Sequence, residues 1–140
     1  MSVYDTIRTM LAVREYDARP IPEDIVQRIV EAGRLTASSM NGQPWHFVVV
    51  QNPDTLRRIG GLSVHGPYIA QAPLAIAIVL DDSRFAVSDA SRAVQDMLLT
   101  AWEAGGGGNW VGFGGVEEIK ELLGIPADRE LLGILPFGYP

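Results

Sequence analysis

Residues 38–51 read SSMNGQPWHFVVVQ, and two regimes of physical chemistry meet inside them. Ser38 to Pro44 is built from short polar side chains, glycine and proline, which close turns and bond the backbone locally instead of extending an element. Trp45 to Gln51 is β-branched and aromatic, the composition of a buried strand. A second run, LAIAIVL at 74–80, is apolar at every position. A strand that is apolar on both faces has to be covered on both, so it belongs inside a sheet with helices on each side.

Upstream, Val3, Ile7, Met10 and Leu11 share one helical face, which predicts an amphipathic helix over 2–11. DARPIP (17–22) is a connector. Pro22 suits the first position of the next helix, Glu23 and Asp24 suit its positive end, and Ile25, Ile29, Val30 and Gly33 carry it to about Ala37.

Downstream of the first strand, Asn52-Pro53 caps a short helix over 53–60, and residues 61–73 are irregular, broken by glycine and proline. Ser88 or Asp89 caps a long helix over 89–104, with Val94, Met97, Leu98 and Ala101 as its apolar stripe. GGGGNWVGFGG (105–115) is irregular, VEEIKELL (116–123) is a helix stopped by Gly124 and Pro126, and ELLGILPFG (130–138) is a third strand. Long connections between strands permit parallel or mixed pairing. With 140 residues and no repeat, the expectation is one domain over 1–140.

Composition removes whole classes of chemistry. There is no cysteine, so disulfides, thiolate nucleophiles and cysteine-ligated metals are excluded. One lysine and ten arginines are scattered through a chain of net charge −6, which is the wrong balance for a nucleic-acid surface. No apolar run nears the roughly 20 residues of a membrane span, and MSVYDTIRTM lacks a signal-peptide centre, so the cytoplasm is expected.

Several stretches could carry function, and each also has a plain structural reading. Gly105–Gly108 can bring backbone N–H groups close to a ligand, or simply end a helix in a flexible loop. It is not a phosphate-cradling P-loop, because it follows a helix and no Gly-Lys-Ser/Thr comes after it. Ser38, Ser39, Asn41 and Gln43 can bind sugar-type hydroxyls or a pyrimidine edge, or cap the neighbouring elements. Arg14 in AVREY reads as a solvated or ion-paired cation. His46 reads as a hydrogen-bonded strand residue and His65 is given no role. Asp81-Asp82 reads as a solvated strand end without a third metal ligand. Trp45, Trp102 and Trp110 read as core or interface.

Taken in order, these stretches resemble the FMN-dependent nitroreductase family along nearly the whole chain. The resemblance rests on Val13-Arg14-Glu15-Tyr16, Pro20-Ile21-Pro22, Ala37-Ser38-Ser39-Met40-Asn41-Gly42-Gln43-Pro44-Trp45, and Asp89 with Gln95 and Ala101. It continues through Gly105-Gly106-Gly107-Gly108-Asn109-Trp110-Val111-Gly112, Leu123-Gly124-Ile125-Pro126 and Gly138-Tyr139-Pro140.

The resemblance implies an α+β fold: a three-layer α/β/α sandwich around a mixed, largely antiparallel sheet. It implies a homodimer with two FMN sites at an intertwined interface. NADH or NADPH would reduce the flavin, and a nitroaromatic, quinone or flavin-type acceptor would reoxidise it. Arg14 would lie at the flavin N1/O2 edge. Ser38, Ser39, Asn41 and Gln43 would contact ribityl chain and ring, reaching over from the partner. Gly105, Gly106, Gly107 and Gly108 would offer N–H groups near N5 and O4. No side chain would act as an obligatory acid or base, and no metal is implied.

Two features depart from the family pattern. Met10-Leu11-Ala12 stands where the family has Arg-Arg/His-Ser, whose first arginine and serine hold the phosphate. The family also continues beyond Gly-Tyr-Pro with a basic segment. Arg8 and Arg34 are the candidate replacements for the phosphate grip. The alternative reading is therefore a dimeric binding or structural module without redox activity. A flavin-fragmenting or dehalogenating relative would need a covering insertion near 81–88, and none stands there.

Overall fold

In the computed structural model, which describes residues 1–112 and 114–140, the run Leu74–Leu80 forms a strand with all of its residues buried. Successive side chains of a strand point to opposite faces. Leu74, Ile76, Ile78 and Leu80 therefore enter one apolar cluster, and Ala75, Ala77 and Val79 enter another.

The sheet contains β1 (Trp45–Val50), β2 (Leu74–Leu80), β3 (Gly107–Gly108) and β4 (Glu130–Gly138), in the order β1-β2-β4-β3. Every described pair is antiparallel. This agrees with the largely antiparallel sheet that the resemblance implied, and the parallel pairing that the long connections permitted is not used among the described strands. Val50 at the end of β1 lies opposite Ala75 near the start of β2, so the connection leaves and returns at one end of the sheet. A long connection permits a crossover but does not require one. A register shift between Ile78 and Val79 accommodates one extra residue of β4. Leu131 and Ile134 consequently face one cluster while Leu135 and Phe137 face the other.

Five helices flank the strands among the described residues: α1 (Val3–Thr9), α2 (Glu23–Arg34), α3 (Pro53–Leu62), α4 (Ala86–Glu103) and α5 (Val116–Leu123). α2 and α4 cover one face, through Val26, Ile29, Ala90, Ala93, Val94 and Met97. α3 and α5 cover the other, through Leu56, Ile59 and Ile119. The layered α+β sandwich is thus present, with both faces of β2 covered as its composition demands.

Boundaries shift in ways that matter for the site. α4 begins at Ala86, so Asp89 lies inside its first turn instead of capping it. α2 ends at Arg34, and Pro67–Gln71 forms a short 3-10 turn within the irregular connection. β3 was expected to be loop. Phe113, in the irregular stretch expected over 105–115, lies outside the described residues. α1 is shorter than expected, and its stripe does not enter the core: Val3 is 76% exposed, Ile7 54% and Leu11 67%.

Candidate functional site

The segment after α1 runs along the edge of the sheet. The Val13 N–H donates to the Gly108 carbonyl (3.0 Å), and the Asp17 N–H donates to the Tyr139 carbonyl (2.8 Å). The Tyr16 hydroxyl donates to the Val13 carbonyl at 2.6 Å, and burial pushes its pKa above the ordinary tyrosine range. These bonds fix the backbone on both sides of Arg14. Its side chain is exposed and has no carboxylate partner among the described residues, unlike Arg8, Arg34, Arg92 and Arg129.

Arg14 opens onto a cavity of about 610 Å³ whose wall includes His65, Tyr68, Asn109, Trp110, Gly112 and Glu130. Asn109 donates its side-chain N–H to the Tyr68 hydroxyl at 2.6 Å, which ties the two walls together. Trp110 packs closely on β4 because Gly133 has no side chain; a Cβ there would stand 2.2 Å from the indole nitrogen. The volume is within the range of small-molecule and cofactor sites.

The glycine run does not line this cavity. Gly105 adopts φ +91°, and its N–H donates to the Trp102 carbonyl while that of Gly106 donates to the Ala101 carbonyl. That pair of bonds is the Schellman end of a helix. Gly107 and Gly108 form β3 and are buried; a Cβ on Gly107 would lie 2.4 Å from the Val13 side chain. The run therefore ends α4 and lets the Val13 segment close onto the sheet. The stretch that faces the cavity is the next one, Asn109–Gly112.

Ser38, Ser39, Asn41 and Gln43 lie elsewhere. Met40, Asn41 and Gln43 adopt positive φ (54°, 55° and 47°), a conformation that strains non-glycine residues by roughly 1–3 kcal/mol each. Within the loop, the Gln43 N–H donates to the Ser38 hydroxyl (3.0 Å) and the Gln43 side-chain amide donates to Asn41 Oδ1 (2.9 Å). The Ser39 N–H donates to both oxygens of Asp89 (3.1 and 3.2 Å), and the Ser39 hydroxyl donates to Oδ1 (3.1 Å). Arg92 also donates to Asp89. Burial alone would raise the Asp89 carboxyl, but the Ser39 and Arg92 donors outweigh it and hold it below the ordinary carboxylate range.

Within one chain the expected site is therefore split. The Ser38–Gln43 loop sits by Asp89 at the start of α4, whereas Gly105 follows its end. The axis between them advances roughly 24 Å at about 1.5 Å per residue. The two regions also flank opposite edges of the sheet, by β1 and by β3. Sequence reasoning missed Tyr68, Asn109 and the Asp89 anchor, and gave His65 and Trp110 no ligand role. The only signals were the Gly66-Pro67 breaker beside Tyr68 and the order of residues after the glycine run. The remaining features are structural. Trp45 is core, Trp102 donates to Thr9, and Asp81 is held below the ordinary carboxylate range by His46 first and then by Arg129.

The arrangement is shared with known proteins. The model of the Nitroreductase family matches residues 7–79 and 64–139. A protein from Methanothermobacter thermautotrophicus with the provisional name NADH dehydrogenase/NAD(P)H nitroreductase is 34% identical, over 100% of this chain and 78% of its own length. A protein of the same provisional name from Archaeoglobus fulgidus is 33% identical, over 96% of this chain and 83% of its own. The solved structure of an FMN-dependent nitroreductase from Clostridium difficile superimposes with a TM-score of 0.92 at 25% identity, covering 98% of this chain and 87% of that one. With the family model matching almost from end to end, and relatives of 33–34% identity covering nearly the whole chain, the chain belongs to the nitroreductase family.

Proposed function

We propose that this protein is an FMN-dependent NAD(P)H oxidoreductase that reduces small nitroaromatic, quinone or flavin-type acceptors, and that it works as a homodimer in the cytoplasm. The observation that carries the reading is the split site. One chain presents a cavity with an aromatic wall and an arginine that has no ion-pair partner among the described residues; its strained polar loop lies by β1, at the opposite edge of the sheet. A two-fold pairing would bring the loop of one copy to the cavity of the other. The exposed apolar side chains Val3 and Ile7 on α1, Leu11 just after it, and Leu35 supply surface for such a contact.

The residues present fit a flavin. Trp110 offers a planar apolar wall, and among the described residues the Arg14 guanidinium has no ion-pair partner. When bound, FMN supplies the two-electron chemistry between nicotinamide and acceptor. Arg14 would hold the N1/O2 edge, where a fixed cation stabilises negative charge. Asn109 and Tyr68 would orient the ring from the cavity wall. Ser38, Ser39, Asn41 and Gln43 of the partner would bond the ribityl hydroxyls. In this assignment Gly105–Gly108 acts by placing Arg14 and Trp110 and does not itself touch the ligand. Among the described residues no helix is long and apolar enough to cross a membrane.

One observation favours the second reading, a dimeric binding or structural module without redox activity. Both candidate replacements for the phosphate grip are occupied: Arg8 pairs with Asp5 at 2.8 Å, and Arg34 with Glu31. Flavin titration of the purified protein decides between them. Yellow protein with an absorption band near about 450 nm that NADH or NADPH bleaches supports the oxidoreductase. Colourless protein that takes up no added FMN supports the module. Sedimentation as a monomer would remove the shared site altogether.

A further inference from the structure

We infer that Asp89 is a positioning residue for the flavin-facing loop: its buried carboxylate, through Ser39, holds Ser38–Gln43 in the shape that meets the ligand. The inference rests on the oxidoreductase reading above and adds to it a residue that does not touch the ligand.

Asp89 is 1% exposed, on the inner side of the first turn of α4. It is not spent on capping that helix, whose N-cap is Phe85 without a side-chain bond. Its carboxylate instead accepts three hydrogen bonds from Ser39 and one from Arg92.

The loop has little else to keep it in place. Met40 is 95% exposed, so no apolar contact anchors the tip. The remaining hydrogen bonds of residues 38–43 run within the loop: Asn41 N–H to Ser38, Gly42 N–H to Ser39, and the Gln43 bonds to Ser38 and Asn41. The nearest ties to the scaffold are outside it, from Thr36 to Asp96 (2.7 Å) and from the Asp81 N–H to the Pro44 carbonyl (3.0 Å). Between those ties, three left-handed non-glycine residues are held, among the described residues, by one anchor. Strain of this kind persists only where surrounding structure over-determines it, and here the surrounding structure is Asp89.

The chemistry demands a carboxylate. The Ser39 N–H faces both oxygens, so replacing either with an amide NH₂ sets donor against donor. Asp89→Asn is nearly isosteric and isolates that change.

The test uses the whole protein and reads two quantities: FMN affinity, and amide hydrogen exchange of the flavin-free protein. In Asp89→Asn we expect exchange across 39–43 to accelerate about tenfold, the scale of a lost charge-assisted anchor. Exchange in the interior of α4, at Val94–Ala101, should stay unchanged, and FMN affinity should fall about tenfold. The visible circular dichroism of flavin bound at saturation should change shape. Ser39→Ala, which keeps the N–H bonds, should speed exchange across 39–43 about threefold in the flavin-free protein, a readout independent of the direct contact proposed for its hydroxyl. Thr36→Val, which removes a neighbouring scaffold bond of the same kind, should leave FMN affinity within about twofold.

Equal FMN affinity and an unchanged flavin signal in Asp89→Asn would overturn the inference, even with a loosened loop. So would exchange that rises in α4 together with the loop, or an Asp89→Asn protein that does not fold while Ser39→Ala exchanges across 39–43 as the native protein does. These results leave the oxidoreductase reading standing, because the native protein still takes up flavin. A native protein that takes up none sinks both.

Discussion

The two ends of α4 hold functional backbone by opposite means. At its start, a buried carboxylate grips a strained polar loop through charge-assisted hydrogen bonds from the half-buried Ser39, while Met40, Asn41 and Gln43 stay exposed. At its end, glycines remove side chains so that backbone packs on backbone, and Val13, Gly108 and Trp110 are locked by neutral bonds and close contact. The first end is specified by charge and the second by space. They should accordingly respond to different perturbations, which gives the comparison its tests.

The largest effect belongs to the packed end. Phe137 is fully buried and lies directly beneath Gly108. Phe137→Ala should lower unfolding stability by about 3–5 kcal/mol. Urea denaturation reads this, and a loss under about 1 kcal/mol would show that the glycine end is not held by packing.

Arg14→Ala separates function from stability at the same end. The side chain is exposed and unpaired, so the melting temperature of flavin-free protein should move by less than about 0.5 kcal/mol equivalent. FMN affinity should fall at least about tenfold, the scale of one charge-assisted contact. An Arg14→Ala protein that binds FMN normally would take Arg14 out of the site. Gly105→Ala is smaller again. A Cβ there meets nothing within 4 Å, so the cost is the positive φ alone, about 1 kcal/mol. A cost of several kcal/mol would mean that the helix end is crowded.

The charged end should answer to pH instead. The folded-state pKa of Asp89 lies below its ordinary value of 3.8. Its contribution to stability is therefore fully present above that value and is lost as pH falls through the folded pKa. Asp81 is shifted the same way and adds to the same window. Thermal unfolding followed from pH 6 to pH 2.5, both chosen as about two units or less around that window, should fall less steeply in Asp89→Asn than in the native protein. Parallel curves would show that the carboxylate is not under tension.

Much of this was legible without coordinates. LAIAIVL could only be a covered strand, because apolar side chains on both faces leave no solvent-exposed alternative. WHFVVV was legible as a strand but not as a buried one: it forms the edge of the sheet, with His46 and Val49 exposed. Arg14 and the Ser38–Gln43 loop were legible as motifs. What Gly105–Gly108 does was not. Glycine in sequence says only that a side chain is absent, and a ligand, a helix end or a neighbouring strand can each be the reason. Asp89 looked like a cap because short polar residues at helix starts usually are; its partner Ser39 lies fifty residues away. α1 looked amphipathic and is, but periodicity does not say whether its stripe is covered by its own chain.

The sequence alone therefore determined the layers, the buried strands and the stretches with polar or glycine chemistry, since these follow from local patterns of apolar and polar side chains. Tertiary structure alone decided the antiparallel order of the sheet, the anchoring of the loop by Asp89, and the separation of loop and cavity to opposite edges of the sheet. Each of these depends on which distant residues meet, and no local pattern encodes that.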